Sequence, residues 1–433
     1  MLFQAAHRFD WHALTMKHMS MVLLIGMAVT RIVSTLAIVK VISAVFGPEA
    51  FGELSHVIGI SAVFYMFAGG GVANGLIRHV AVSKEPHQRA AWLKAASVIS
   101  IASALALGVL CVVLYLWSGA FVLLDAELAP LFLVIAAAQG VIGLGNTALA
   151  FLSGIGNIKA FVVANAAGSI VAAGLVVVAV QFAGLQGAFL TVAILPLAPS
   201  VIGVALLVRQ CGDRQIWPAT TNRLHVIELL RFSGAMVVGV VAVPVVQAFM
   251  RVGMADRLGW ESVGHWQAIA RVSDAYMQVF GVLFINLMLP QLARVSGSAR
   301  RVVAMRLGAA FTVLFLVGTA AYYLLRHQII LIAFSPEFLP AADLVLTQSL
   351  GDLCKIGCWI LVYVYVAGGL LRVQIAAELA QATLTVLSFV LLAPGSGQAA
   401  AVRAHAIACA VVFLGLVVMA LRGRFMMPRK TTP

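Results

Sequence analysis

Only one residue in ten of this 433-residue chain is charged, and just 15 residues are Asp or Glu. Soluble domains carry about a quarter of their residues as charges, so a soluble globular class is excluded. Cysteine is sparse too: Cys111, Cys211, Cys354, Cys358 and Cys409 are scattered along the chain. Cys354 and Cys358 share a helical face, yet no neighbouring histidine completes a metal-ligand set, and they read as small packing residues. The alternating ten-residue strands of a membrane barrel are absent. No histidine falls near the middle of an apolar run, so a histidine proton relay has no candidate. The first half also lacks any acidic residue away from the ends of its apolar runs. A carrier exchanging organic cations for Na⁺ or H⁺ needs buried carboxylates, and this half offers none.

What the chain has in abundance is apolar sequence, 63% of its residues. Twelve runs of roughly 20 residues recur, the length that spans a bilayer as helix, centred near residues 34, 62, 105, 140, 171, 196, 243, 277, 314, 355, 383 and 411. The expected fold is an all-α polytopic membrane protein with twelve transmembrane helices, since helices satisfy their own backbone polar groups within lipid. The first run, 21–46, follows Lys17 but is too long for a signal h-region and lacks a small-residue cleavage site before Gly47, so it reads as a retained helix.

The formal net charge of +13 does not point to nucleic acid, because of where the charges lie. Basic residues crowd alternate loops: Arg78, Lys84, Arg89 and Lys94; Arg209, Arg214, Arg223 and Arg231; Arg294, Arg300, Arg301 and Arg306; and the tail from Arg422 to Lys430. The loops between hold Glu49 and Glu53, Asp125 and Glu127, Glu337 and Asp343. The positive-inside rule then places both termini in the cytoplasm and makes the helix count even.

Five segments follow: a cytoplasmic N-terminal stretch 1–20, a six-helix bundle 21–208, a cytoplasmic linker 209–231, a second six-helix bundle 232–421 and a basic tail 422–433. In the linker, Leu224, Ile227 and Leu230 have helical spacing. Two readings stand: an amphipathic surface helix, or the first turns of the seventh spanning helix. The halves echo one another, with Lys159 and Asn165 after SGIGN matched by Arg372 and Glu378 after AGGLL, as a duplicated carrier would show. Gly69, Gly70 and Gly71, the pair Pro196 and Pro199, and Pro244 interrupt helices, as hinges or as close-packing positions.

Charges deep in the apolar runs carry the functional signal, because each one costs about 2.5–3.5 kcal/mol near the bilayer centre. Arg31 lies about 15 Å into the first helix, beyond snorkelling reach. Lys40 and Arg403 sit near helix ends, where snorkelling accounts for them. Arg271, Asp274 and Gln278 form one polar stripe at i, i+3 and i+7. Asp352 and Lys355 make an i, i+3 pair with Trp359 a turn beyond. Each acid either neutralises its neighbouring base and pins packing, or holds a cation in place on a cavity wall. Arg251 near Gln247, and Asn74 with Arg78, either line entrances or meet lipid headgroups. Glu378 with Gln374 and Gln381 marks a further stripe near the cytoplasmic side. The candidate substrate-binding set is therefore Arg31, Asn74, Arg78, Arg251, Arg271, Asp274, Asp352 and Lys355, with no catalytic or metal residue and no cofactor. Its cationic balance predicts an anionic cargo.

Several segments add a resemblance: GPEAFG at 47–52, GGGVANGLIRHVA at 69–81, GHWQAIARVSDAYMQVF at 264–280, LPQLAR at 289–294, GDLCKIG at 351–357 and AELAQ at 377–381. In these the chain resembles the Wzx-type flippases for lipid-linked oligosaccharides, within the multidrug/oligosaccharidyl-lipid/polysaccharide exporter superfamily, and most of all the branch serving enterobacterial common antigen. The resemblance implies two pseudo-symmetric six-helix bundles around a central cleft, working by alternating access. It implies an undecaprenyl-pyrophosphate-linked oligosaccharide as cargo (an O-antigen, common-antigen-like or exopolysaccharide unit), moved from the cytoplasmic to the periplasmic leaflet of a bacterial inner membrane. It also implies the bilayer, a polysaccharide polymerase and chain-length machinery as partners. Phosphate-binding roles fall by this likeness on Arg31, Arg78, Arg271 and Lys355. Rival readings are a membrane polymerase or ligase, for which the outward loops holding Arg257, Arg326 and His327 are short, and a cation-coupled drug antiporter of the same superfamily.

Overall fold

The computed structural model describes residues 11–69, 71–117, 129–210 and 222–422, and among these every regular element is helical. The basic tail beyond Arg422, the acidic loop at Asp125 and Glu127, Gly70, residues 1–10 and linker residues 211–221 lie outside the described residues. In chain order the α-helices are α1 (Trp11–Phe67), α2 (Ala73–Val82), α3 (Pro86–Leu116), α4 (Pro130–Gly154), α5 (Ile158–Ala193), α6 (Leu197–Gln210), α7 (Arg223–Leu283), α8 (Leu289–Ala293), α9 (Gly297–Leu324), α10 (Arg326–Ala333), α11 (Val345–Ala367), α12 (Leu371–Ser396) and α13 (Ala400–Leu421).

Twelve crossings emerge once the turns inside the longest helices are counted. Among the described residues seven apolar spans are long enough to cross a membrane, and two of them, Val22–Phe67 and Leu371–Leu421, are each divided into two arms, at Gly47 and Gly397. The shorter α6 and the two arms of α7 complete the set. The reversal in α1 is made at Gly47, whose φ of 73° suits glycine and few other residues, with Pro48 opening the next helical arm. Gly259 does the same in α7, and Gly184 in α5.

These turns expose a duplication. Among the described residues, six of the eight left-handed glycines pair as Gly47 with Gly259, Gly156 with Gly369, and Gly184 with Gly397, at separations of 212, 213 and 213 residues. The Lys159/Arg372 and Asn165/Glu378 echoes have the same 213-residue spacing. Two copies of one six-helix pattern make the chain.

Compact units do not follow that duplication along the whole chain. One unit comprises residues 1–38 and 61–236, the other 39–60 and 237–433. In the first, Val72, Leu76, Leu93, Ile99, Phe151 and Leu229 form a buried core. Residues 223–231 are the opening turns of α7, continuous with the rest of that helix. Leu229 is fully buried there while Leu224, Ile227 and Leu230 are exposed. His79 stacks on Trp92 at 4.0 Å between ring centres, and His225 meets the same indole edge-on at 4.3 Å, which fastens the start of α7 to α2 and α3.

In the second unit, Phe280, Phe284, Phe311, Phe315 and Ile356 build the core. The 39–60 segment packs there through Phe51, whose ring meets Phe334 and Phe338 edge-on at 5.7 and 5.6 Å. Exposed Leu105, Val109, Val317 and Leu391 are what helices facing lipid present. The backbone breaks between α1 and α2 at Gly69 and Gly71, and between α5 and α6 at Pro196. Pro199 is a packing position: a Cβ on Gly168 would fall 2.4 Å from it. Pro244 leaves α7 unbroken.

Candidate functional site

The second unit holds a carboxylate deep among helices and supplies it with four donors. Asp352 of α11 is 1% exposed. Its Oδ2 accepts from Ser273 Oγ at 2.5 Å and from the Tyr276 hydroxyl, both on the 260–283 arm of α7. Its Oδ1 accepts from His405 Nε2 of α13 at 2.9 Å and from Gln348 Nε2 at 3.2 Å. Charge-assisted hydrogen bonds of this kind are what keep an anion stable inside a membrane protein. Three helices are thereby tied at one point.

This pairing corrects the expectation that Asp352 and Lys355 brace each other. Three residues of helix rotate a side chain about 60° around the axis, enough to send Asp352 inward while Lys355 stays half-buried. The Lys355 ammonium instead lies 5.8 Å from the centre of the Trp359 ring. His405 was not among the residues singled out, because it sits only six residues into α13 and depth alone set it aside.

The same arm of α7 leaves a different face less covered by protein: Asp274 and Gln278 are exposed and Arg271 is half-buried. Asp274 lies within electrostatic reach of Arg271, Lys355, Asp352 and His405. Among the described residues neither Arg271 nor Asp274 makes a hydrogen bond or an ion pair within 4.0 Å. Their donors and acceptors are not committed to each other, in contrast to Asp352.

Arg251, expected at an entrance or among headgroups, is buried within the second unit. It is 1% exposed, the bulkiest of the fully buried side chains. Its guanidinium occupies the room left by Gly59: a Cβ there would lie 1.9 Å from Nη2. Nε and Nη2 have no hydrogen-bond partner among the described residues. The charge is within reach of Arg271 and Asp274. Only the glycine opposite allows an arginine to be buried here, a relationship no sequence spacing announces.

In the first unit Arg31 is exposed on α1, and its charge reaches the Tyr65 hydroxyl on the returning arm of that helix. Asn74 and Arg78 are exposed one turn apart on α2. Lys40, expected to snorkel, instead closes a helix end: Nζ donates to the Leu331 carbonyl at 2.9 Å and to that of Phe334, at the C-terminus of α10. The structure therefore gathers Arg251, Arg271, Asp274, Asp352 and Lys355 within the second unit, and Arg31, Asn74 and Arg78 belong to the first. Among the described residues no group of three or more His, Cys, Asp or Glu could hold a metal ion.

Comparison with known proteins adds to this geometry. The chain is 28% identical over 394 residues to the lipid III flippase of Escherichia coli (strain K12), covering 89% of this chain and 93% of that one. Its fold is similar to an inward-facing multidrug resistance MATE family transporter of the MOP superfamily, with a TM-score of 0.72 at 14% identity over 93% of this chain and 96% of the other. It is similar also to the lipid II flippase MurJ in its inward closed conformation, with a TM-score of 0.69 at 14% identity over 93% and 87% of the two chains. The family model described as polysaccharide biosynthesis protein matches residues 18–296, and the chain belongs to that family.

Proposed function

We propose that this protein is a transporter, not an enzyme, and that it flips an undecaprenyl-pyrophosphate-linked oligosaccharide from the cytoplasmic to the periplasmic leaflet of the inner membrane. The observation that carries this reading is the polar face of the second unit, where Arg271 and Lys355 have no carboxylate bonded to them among the described residues. A pyrophosphate needs several donors, and arginine can offer two parallel hydrogen bonds to a phosphate. Asp274 keeps these cations in place without satisfying them, and Arg251 adds positive potential from within the unit. Asp352 orients the helix that carries Arg271 and is not itself a cargo contact. Arg31, Arg78 and Asn74 serve the cargo from the first unit.

Direction follows from charge. An anion leaving an inside-negative cell gains about 2.3 kcal/mol per charge per 100 mV, so two phosphate charges supply about 4–5 kcal/mol. The polyprenyl chain remains in lipid while the headgroup crosses, and the glycan is delivered on the side where a polymerase and chain-length machinery work.

Alternating access is supported by the duplication, whose two copies meet at one close crossing in the second unit. A Cβ on Gly52 would meet the Trp260 carbonyl at 2.2 Å, and one on Gly264 the Pro48 carbonyl at 1.9 Å. We assign the two repeats, 21–208 and 232–421 joined through 209–231, as the moving halves.

Surface glycan in a strain lacking the chromosomal copy tests the reading. Arg271→Ala and Lys355→Ala are expected to reach the membrane and fail to restore glycan. Restoration by both variants would contradict the assigned cargo face.

A further inference from the structure

We propose that Asp352 and His405 form a proton-binding site that ties proton uptake and release to the packing of the 260–283 arm of α7. The pair is asymmetric with respect to water: the His405 side chain is 19% exposed and that of Asp352 only 1%. Imidazole, the one side chain whose ordinary titration lies near neutrality, is thus the solvent-facing member, and the carboxylate is the buried one. A proton arrives from water at the imidazole and leaves by the same route; no other group changes its proton count.

The mechanical consequence lies in what else Asp352 holds. With His405 protonated, the buried anion faces a cation at 2.9 Å. When that proton leaves, the neutral imidazole can still donate through Nε2, but only neutral donors, His405 with Ser273, Tyr276 and Gln348, then face a full negative charge. A buried charge stripped of its partner is strongly unfavourable, and the relief available is for the carboxylate to reach water. That requires the 260–283 arm, which supplies two of the four donors, to move.

The other groups around the pair do not replace its cation. The 260–283 arm brings Asp274 and Arg271, and α11 brings Lys355, and both cations act on Asp274. From α9 comes the neutral Tyr322 hydroxyl, which is buried without a hydrogen-bond partner among the described residues. From α13 itself Cys409 Sγ lies 3.7 Å from His405 Nδ1, and from α12 Gln381 donates to that same sulfur. Ser273 and Asp274 are adjacent, so movement that frees Asp352 also displaces the cargo face. Coupling to cargo rests on the transport reading above; the proton site itself does not.

Hydrogen–deuterium exchange of the full chain in lipid nanodiscs tests the site with no cargo present, so its failure is separate from failure of that reading. Peptides covering 260–283 and 400–421 are compared at about pD 6 and about pD 9, which bracket imidazole titration, after correction for intrinsic exchange rates. The wild type is expected to lose protection about threefold or more at the higher pD. His405→Gln, which keeps an amide donor but cannot titrate, is expected to show no such change. Should His405→Gln fail to reach the membrane, Asp352→Asn removes the charge that depends on the proton and is expected to be equally unresponsive. An undiminished response in the variant that folds, or equal protection of the wild type at both values, overturns the proposal.

Discussion

Gly52 and Gly264 stand 212 positions apart in the chain and press against each other's helices, each against the carbonyl four residues before the other. They occupy the same place in the two copies of the duplicated pattern, since Gly47 and Gly259 have the same separation. The contact is therefore nearly symmetric: Pro48 faces Gly264 as Trp260 faces Gly52. A duplicated chain that meets itself through its own repeat needs the small residue twice.

Gly264→Ala places a methyl where the Pro48 carbonyl already lies, and overpacking of this kind costs about 1–3 kcal/mol. A lower thermal midpoint in detergent is expected, with reduced surface glycan. An unchanged midpoint would show that the crossing yields without strain.

Arg251→Met separates stability from transport. Replacing a buried charge by an apolar side chain of similar length is neutral or stabilising by about 1–4 kcal/mol. The thermal midpoint is expected to hold or rise while surface glycan falls. Full glycan in the stabilised variant would remove Arg251 from the cargo function.

Asp352 and Asp274 are expected to differ sharply. Asp352→Ala strands the donors of Ser273, Tyr276, Gln348 and His405 and should destabilise by about 3–5 kcal/mol, as when one partner of a buried pair is removed. Asp274→Asn, on the exposed stripe, should stay within about 0.5 kcal/mol. Chemical denaturation in mixed micelles measures both.

Lys40→Met opens the carbonyl end of α10 and is expected to lower stability by about 0.3–1 kcal/mol, the usual worth of a cation at a helix C-terminus. The loss should localise to peptides of 326–338 in hydrogen exchange. Uniform protection there would return Lys40 to a headgroup role.

The crossings were legible because apolar length is the one requirement a bilayer imposes on a helix. The repeat was legible from Lys159 and Arg372, whose spacing the left-handed glycines share. The polar stripe at Arg271, Asp274 and Gln278 was legible because helical periodicity puts those positions on one face. Pairing across helices was not. His405 reaches Asp352 from 53 residues away, and Gly59 admits Arg251 from another helix, so neither partnership leaves a mark at local spacing. Lys40 was misread because its depth resembles that of a snorkelling side chain, and depth says nothing of a carbonyl waiting 291 residues downstream.

The central claim is that uncommitted cations receive an anionic lipid headgroup, and the Arg31→Ala, Arg271→Ala, Lys355→Ala triple variant tests it most directly. In a strain depending on that variant, the quantity to measure is the lipid-linked glycan that a membrane-impermeant label can reach on intact spheroplasts. Variant protein is expected at normal levels in the membrane, with precursor accumulated out of reach of the label and no surface glycan. Labelled precursor and surface glycan at wild-type levels would contradict the claim.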